Sequence, residues 1–195
     1  VHGGTLALLL TVVVASACGK GSHGAKAADG AVATDAGSRG DARDVSPEDP
    51  LVSDLWARAA DGDADDLARL CDTVGSDALI DATPVAARRM AALRALAYTD
   101  DFTPLPFLAK VATTGTDEEA TAAMDSAAFA AARPRRATDE EDALEVHEGS
   151  VILLALAKDP TRPPARRVLA IRVLRLLVDR GWVSRADVPT DLDAR

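Results

Sequence analysis

The sequence predicts an all-α fold: an irregular array of helix pairs, either an α-solenoid or a compact helical bundle, behind a leader and a tether. Three observations predict it. Hydrophobic residues make up 48% of the chain but aromatic residues only 3%, so the apolar surface is mostly Ala, Leu and Val. Such a composition suits close helix packing better than β-sheet. From Leu51 onward, segments of helical length alternate with Gly, Pro and Asp breaks, and none alternates in polarity as a strand does. A helical pattern also recurs within the chain, which points to stacked units.

The leader comes first. Leu6 to Ala17 reads LALLLTVVVASA, an uncharged run of about twelve residues. A membrane-spanning helix needs roughly 20. A run this short, ending in small residues, fits the apolar core of a secretory signal. Residues 1–17 are therefore read as a signal peptide. Residues 18–50 are read as a linker that opens with Cys18, and residues 51–195 as the helical domain.

The linker, GKGSHGAKAADGAVATDAGSRGDARDVSPEDP after Cys18, has no aromatic residue and few aliphatic ones. It cannot bury enough apolar surface to offset its ordering entropy. A flexible chain of that length spans roughly 30 Å on average, enough to hold a domain off a surface. Ser46-Pro47-Glu48-Asp49-Pro50 marks the boundary, with Pro and acidic residues ahead of a helix.

Helices are expected at 51–60, 63–74, 76–82, 84–98, 104–114, 117–132, 138–158 and 163–180. Gly62, Gly75, Pro84, Gly115, Pro134, Pro160 and Gly181 mark breaks. On 84–98, Ala86, Met90, Leu93 and Ala97 recur at helical spacing and define the expected buried face. Segment 163–180 is apolar nearly all round, with one polar stripe of Arg172, Arg175 and Asp179, so it is expected to lie largely between neighbours. The segment Val188 to Asp193 is expected to fold back over it through Val188 and Leu192.

The recurring pattern is ARRMAALRAL at Ala87–Leu96 and ARRVLAIRVL at Ala165–Leu174, identical at six of ten positions and apolar at the other four in both. A weaker copy runs from Glu118 to Ser126, EEATAAMDS. Each unit of such an array buries its face only against a neighbour.

Three resemblances follow from these residues. Ala15-Ser16-Ala17-Cys18 resembles the lipobox of bacterial lipoproteins, with Ala15 where Leu is usual and no Lys or Arg near Val1. The resemblance implies lipid transfer to the Cys18 thiol and cleavage between Ala17 and Cys18. It also implies acylation of the new amino group, and Gly19 after the Cys implies the outer membrane rather than the inner. The alternatives are an ordinary signal cleaved after an A-x-A site, which would secrete the chain to the periplasm, and an uncleaved anchor. The stretch Val85 to Met124 resembles HEAT repeats. It has an Arg- and Ala-rich helix, then Asp100-Asp101, then Leu105-Pro106-Phe107-Leu108 opening a second helix. That likeness extends over about 84–180, although the family's Asp-Val-Arg turn is not reproduced at Asp117-Glu118-Glu119. Leu55 to Gly75 is faintly similar to an ankyrin helix pair without its Thr-Pro-Leu-His signature, and is read as a capping pair.

A search for chemistry finds no catalytic constellation, so the sequence is read as a non-enzyme with no cofactor. Asp61, Asp63 and Asp65 imitate an EF-hand start, but Asp66 stands where Gly is needed and Asp72 where Glu is needed. These acids are read as helix caps. His147-Glu148 lacks the second His that zinc would need, since position 151 is Val. With three His in the chain, His2, His23 and His147, no metal site is expected. Cys71 is read as a buried, inert thiol. The net charge of −9 argues against nucleic acid. Candidate binding residues are the arginine pairs Arg88-Arg89 and Arg166-Arg167, suited to an acidic peptide, and Glu141 and Glu145 in an acidic cluster, suited to a basic one. The competing reading of the arginines is pairing with acids on adjacent helices, and that of the acids is a solvated helix face.

The expectation is a membrane-anchored envelope lipoprotein whose helical domain is a non-catalytic scaffold for an unidentified protein or peptide. The alternatives are a secreted structural subunit of an envelope complex and an unrecognised small-molecule-binding domain.

Overall fold

The computed structural model describes residues 50–133 and 140–190, and every described element is helical. The leader, Ala17, Cys18, the linker to Asp49 and Leu192 lie outside the described residues. Seven α-helices are described: α1 Pro50–Ala59, α2 Ala64–Ala82, α3 Ala86–Ala95, α4 Leu105–Thr114, α5 Asp117–Ala132, α6 Glu140–Lys158 and α7 Pro164–Asp179. A 3₁₀ turn, Leu96–Tyr98, extends α3.

Local chemistry sets the helix ends. Asp63 caps α2 by accepting from the backbone N–H groups of Asp65 and Asp66 at 2.9 and 3.2 Å. The acids that imitate a calcium loop thus serve a helix start. Thr116 and Glu119 form a reciprocal capping box on α5. Pro stands in the first turn of α4 and of α7, where its missing N–H costs nothing. At Gly75 the backbone leaves the helix with φ +81°, so the break expected between 74 and 76 is a kink inside α2. Gly181, at φ +77°, ends α7 in a Schellman motif: Gly181 N–H donates to Val178 and Trp182 N–H to Leu177.

The helices form two layers. In one, α3, α5 and α7 lie side by side, α5 in the centre. In the other, α4 packs against α6. α4 turns back on α5, and α6 on α7, so two successive hairpins stack in register. α2 packs on α3 and its 3₁₀ turn, and α1 closes the end against α2 and α3. The three matching sequence segments fall on α3, α5 and α7, all in the same layer.

Leu70, Leu79, Leu93, Leu96, Leu108, Met124, Leu153, Leu174 and Leu177 are fully buried in the core. Each contributes about 1.5–3 kcal/mol of transfer free energy. Half of α5 is Ala, and these small side chains let α3, α4 and α7 all approach it. α6 meets α4 closely at Gly149, where a Cβ would lie 2.6 Å from Leu105 Cγ. The C-terminal segment packs back through Val188, 8% exposed, and Trp182 stands edge-on to Phe102 with ring centroids 5.7 Å apart.

The expected face of α3 is only partly realised. Leu93 and Ala97 are buried, but Ala86 is exposed, Met90 is half-buried, and the burial also runs through Ala91, Ala92, Ala95 and Leu96. With Ala on several sides, the apolar pattern fits more than one phase, and the neighbouring helices choose between them. α7 follows expectation: Arg172, Arg175 and Asp179 form its exposed stripe, joined by Val168.

Candidate functional site

Because α5 is enclosed by α3, α4 and α7, its exposed residues run along one side: Asp117, Glu118, Thr121, Asp125, Phe129 and Ala132. Grooves run along both sides of that line. The α5/α7 groove, about 770 Å³, has Phe129, Val168 and Leu176 as its main apolar walls and Arg172, Arg175 and Thr190 at its edges. The α3/α5 groove, about 620 Å³, is lined by Met90, Tyr98 and Phe129 with Arg94, Glu118 and Thr121. Phe129 and Asp125 belong to both.

Phe129 is 47% exposed and Val168 49%. Two of the chain's few aromatic rings meet here, Tyr98 and Phe129, with centroids 5.2 Å apart and planes tilted by 48°. Across the α5/α7 groove, Arg172 Nη1 donates to Asp125 Oδ1 at 3.2 Å. Arg175 Nη2 donates to the Thr190 carbonyl at 2.7 Å.

The arginine pairs singled out from the sequence point inward. The Arg88 guanidinium lies 5.2 Å from the centroid of the Trp56 ring, tying α3 to α1. Arg89 donates from Nε to the Thr83 carbonyl at the end of α2 and from Nη1 to Glu119 on α5. Arg167 repeats the first of these contacts, donating from Nε to the Ala157 carbonyl near the end of α6. Arg166, 14% exposed, donates to the Ala112 and Gly115 carbonyls at the end of α4 and to the Asp117 carboxylate. Arg89 and Arg166 therefore hold the acidic first turn of α5 from the α3 side and the α7 side. Arg133 and Arg180, the residues that end α5 and α7, each reach back to carbonyls ending the previous helix of the layer, Tyr98 and Ala132 respectively.

The acidic candidates lie in the other layer. Glu145 is half-buried on α6, and burial, then Glu148 and Asp101, raise its carboxyl above the ordinary range. Asp142 accepts from the Phe102 N–H at 3.0 Å, and Glu148 pairs with Lys110 at 3.0 Å. Glu141 is on α6, but its side chain lies outside the described residues. The structure thus separates the arginine pairs from Glu145 and places neither set in the grooves.

Reactive groups are few. Burial, then Asp72, pushes the Cys71 thiol up to about 12, which leaves it protonated and a poor nucleophile. His147 is exposed on α6. Among the described residues no group of three His, Cys, Asp or Glu could hold a metal ion.

The sequence reading missed Phe129 and Val168, though a signal exists for each. Phe129 continues the Asp117, Thr121, Asp125 series at four-residue spacing, which places it on the polar line of α5. Val168 precedes Arg172 by the same interval on α7. Comparison with protein-family models, curated proteins and solved structures finds no match to this chain.

Proposed function

We propose that this chain is a lipid-anchored lipoprotein of the cell envelope, on the outer membrane, whose helical domain is a non-catalytic scaffold that holds a protein or peptide. The anchor reading rests on the apolar run Leu6–Ala17, its length and the Ala-Ser-Ala-Cys end at Cys18. Several acyl chains on Cys18 would give stable attachment, at about 0.8 kcal/mol for each buried methylene. No described helix is long and apolar enough to cross a membrane, so in this reading attachment falls to the lipid. We read the α3, α5, α7 layer as HEAT-like, with its grooved side as the docking face.

The observation that carries the scaffold reading is the exposed Phe129 at the junction of two grooves. Aromatic and Arg side chains at the centre of a concave patch are what binding hot spots are made of.

Two measurements test the reading. Intact mass spectrometry of the membrane-extracted chain should show cleavage before Cys18 and added acyl mass, both lost in Cys18→Ser. A soluble, unacylated product overturns the anchor. A photo-crosslinking phenylalanine analogue at position 129 should give a discrete protein adduct in intact cells. The same analogue at Leu144, exposed on α6, should not. No adduct at 129, or the same adduct at both positions, overturns the scaffold.

A further inference from the structure

The α5/α7 groove has a charge at odds with the chain around it. The protein carries a net charge of −9, and Arg88, Arg89, Arg166 and Arg167 are turned onto a ring, carbonyls and neighbouring acids. Arg172 and Arg175, about one turn apart on α7, stand instead at the solvent edge beside Val168 and Phe129. Among the described residues Arg175 donates to the Thr190 carbonyl and has no carboxylate partner. A guanidinium carries five N–H donors in a planar fork, and that carbonyl engages one of them. Arg172 has Asp125, but the two side chains are 62% and 57% exposed. An exposed pair of that kind contributes little and exchanges readily for another carboxylate. By contrast the α3/α5 groove sets Arg94 alone against Asp117, Glu118 and Asp125, so its lining is net acidic and disfavours an acidic segment.

We propose that the α5/α7 groove takes an acidic, apolar peptide segment. An apolar side chain of the segment packs between Phe129 and Val168, over Leu176. A flanking carboxylate meets Arg175, and a second displaces Asp125 from Arg172. The inference rests on the scaffold reading and adds the chemical class of the partner. A basic segment would oppose both arginines, and a small anion would have no use for the apolar walls.

The test uses the full, membrane-extracted chain and fluorescence anisotropy. The probe is the labelled peptide Asp-Glu-Leu-Phe-Asp-Glu. Its twins are Lys-Lys-Leu-Phe-Lys-Lys and Asp-Glu-Gly-Gly-Asp-Glu. The acidic, apolar probe should bind, more weakly as salt rises, and each twin should bind at least about ten-fold more weakly. Arg175→Glu and Phe129→Ala should each cost about ten-fold or more in affinity, with Arg175→Gln between wild type and Arg175→Glu. Both side chains are exposed, and an unchanged far-ultraviolet circular dichroism spectrum certifies the fold. Equal or tighter binding of the lysine twin overturns the proposal. So does affinity indifferent to Arg175→Glu, or no binding of the acidic probe. An adduct at position 129 together with refusal of the acidic probe overturns the partner class and leaves the scaffold standing. Loss of both overturns both.

Discussion

At Gly149 a side chain that is absent decides how closely two helices meet. Gly in a helix interior ordinarily costs about 1 kcal/mol relative to Ala. Here a methyl group would lie 2.6 Å from Leu105 Cγ and 3.3 Å from the Leu105 backbone carbon. Gly149→Ala should therefore destabilise by about 1–3 kcal/mol in urea unfolding, reversing the usual sign. Two glutamates should act in opposite directions with pH. The Thr116 N–H and the Arg89 guanidinium hold Glu119 below its ordinary 4.5, so its stabilising charge is present above that pH and lost as pH falls through the lower folded value. Burial raises Glu145, so its ionisation penalises the fold above the raised value, and the penalty is gone below 4.5. Glu119→Gln keeps a capping-box side chain and should lower Tm at pH 7. Glu145→Gln should raise it. Both differences should shrink towards pH 4, as thermal melts across pH 4–7 would show.

At the scale of the element, arginine does the work that Gly and Asn do at the ends of many helices. The carbonyls that close α2, α4, α5 and α6 each receive a guanidinium from a neighbouring segment. The donors recur in register: Arg89 and Arg167 occupy the same position of the repeat, and Arg133 and Arg180 end successive helices of one layer. Arg166 serves the carbonyls of Ala112, Thr113 and Gly115 and the Asp117 carboxylate from a covered position. A lysine, with one compact ammonium, cannot span that set. Arg166→Lys should cost about 2–3 kcal/mol, while Arg172→Lys, on the exposed stripe, should stay within about 0.5 kcal/mol. Equal costs in denaturant melts would show that the covered arginine has no special structural share.

Over the whole described domain, stability converges on α5, which touches α3, α4, α7 and the Leu96–Tyr98 turn. Met124, 1% exposed at its centre, should cost about 2–5 kcal/mol when truncated to Ala. Because α5 belongs to both layers' contacts, unfolding by urea should remain one transition with a lowered midpoint. Separate transitions seen by Trp56 and Trp182 fluorescence would mean that the two ends unfold independently, as the nearest-neighbour contacts of a longer array allow. The same centrality explains the site: enclosure of α5 leaves one exposed line, and the grooves form on either side of it.

The amino-acid sequence by itself determined the helical class and most helix boundaries, because Gly, Pro and capping acids act through local backbone geometry. The expected 117–132 and the observed α5 coincide, and Asp63 and Gly75 do what their chemistry requires. It also carried the repeat, since the similar segments at Ala87 and Ala165 fall on α3 and α7 of one layer. Tertiary structure decided the rest. Which side of Ala-rich α3 is buried depends on neighbours, for a pattern of small residues has no unique phase. Whether an Arg pair faces a partner or a helix end depends on carbonyls from segments distant in the chain, as with Arg166 and Ala112. Phe129 became a candidate contact only when α3, α4 and α7 closed around the other sides of α5 and left its ring in the open.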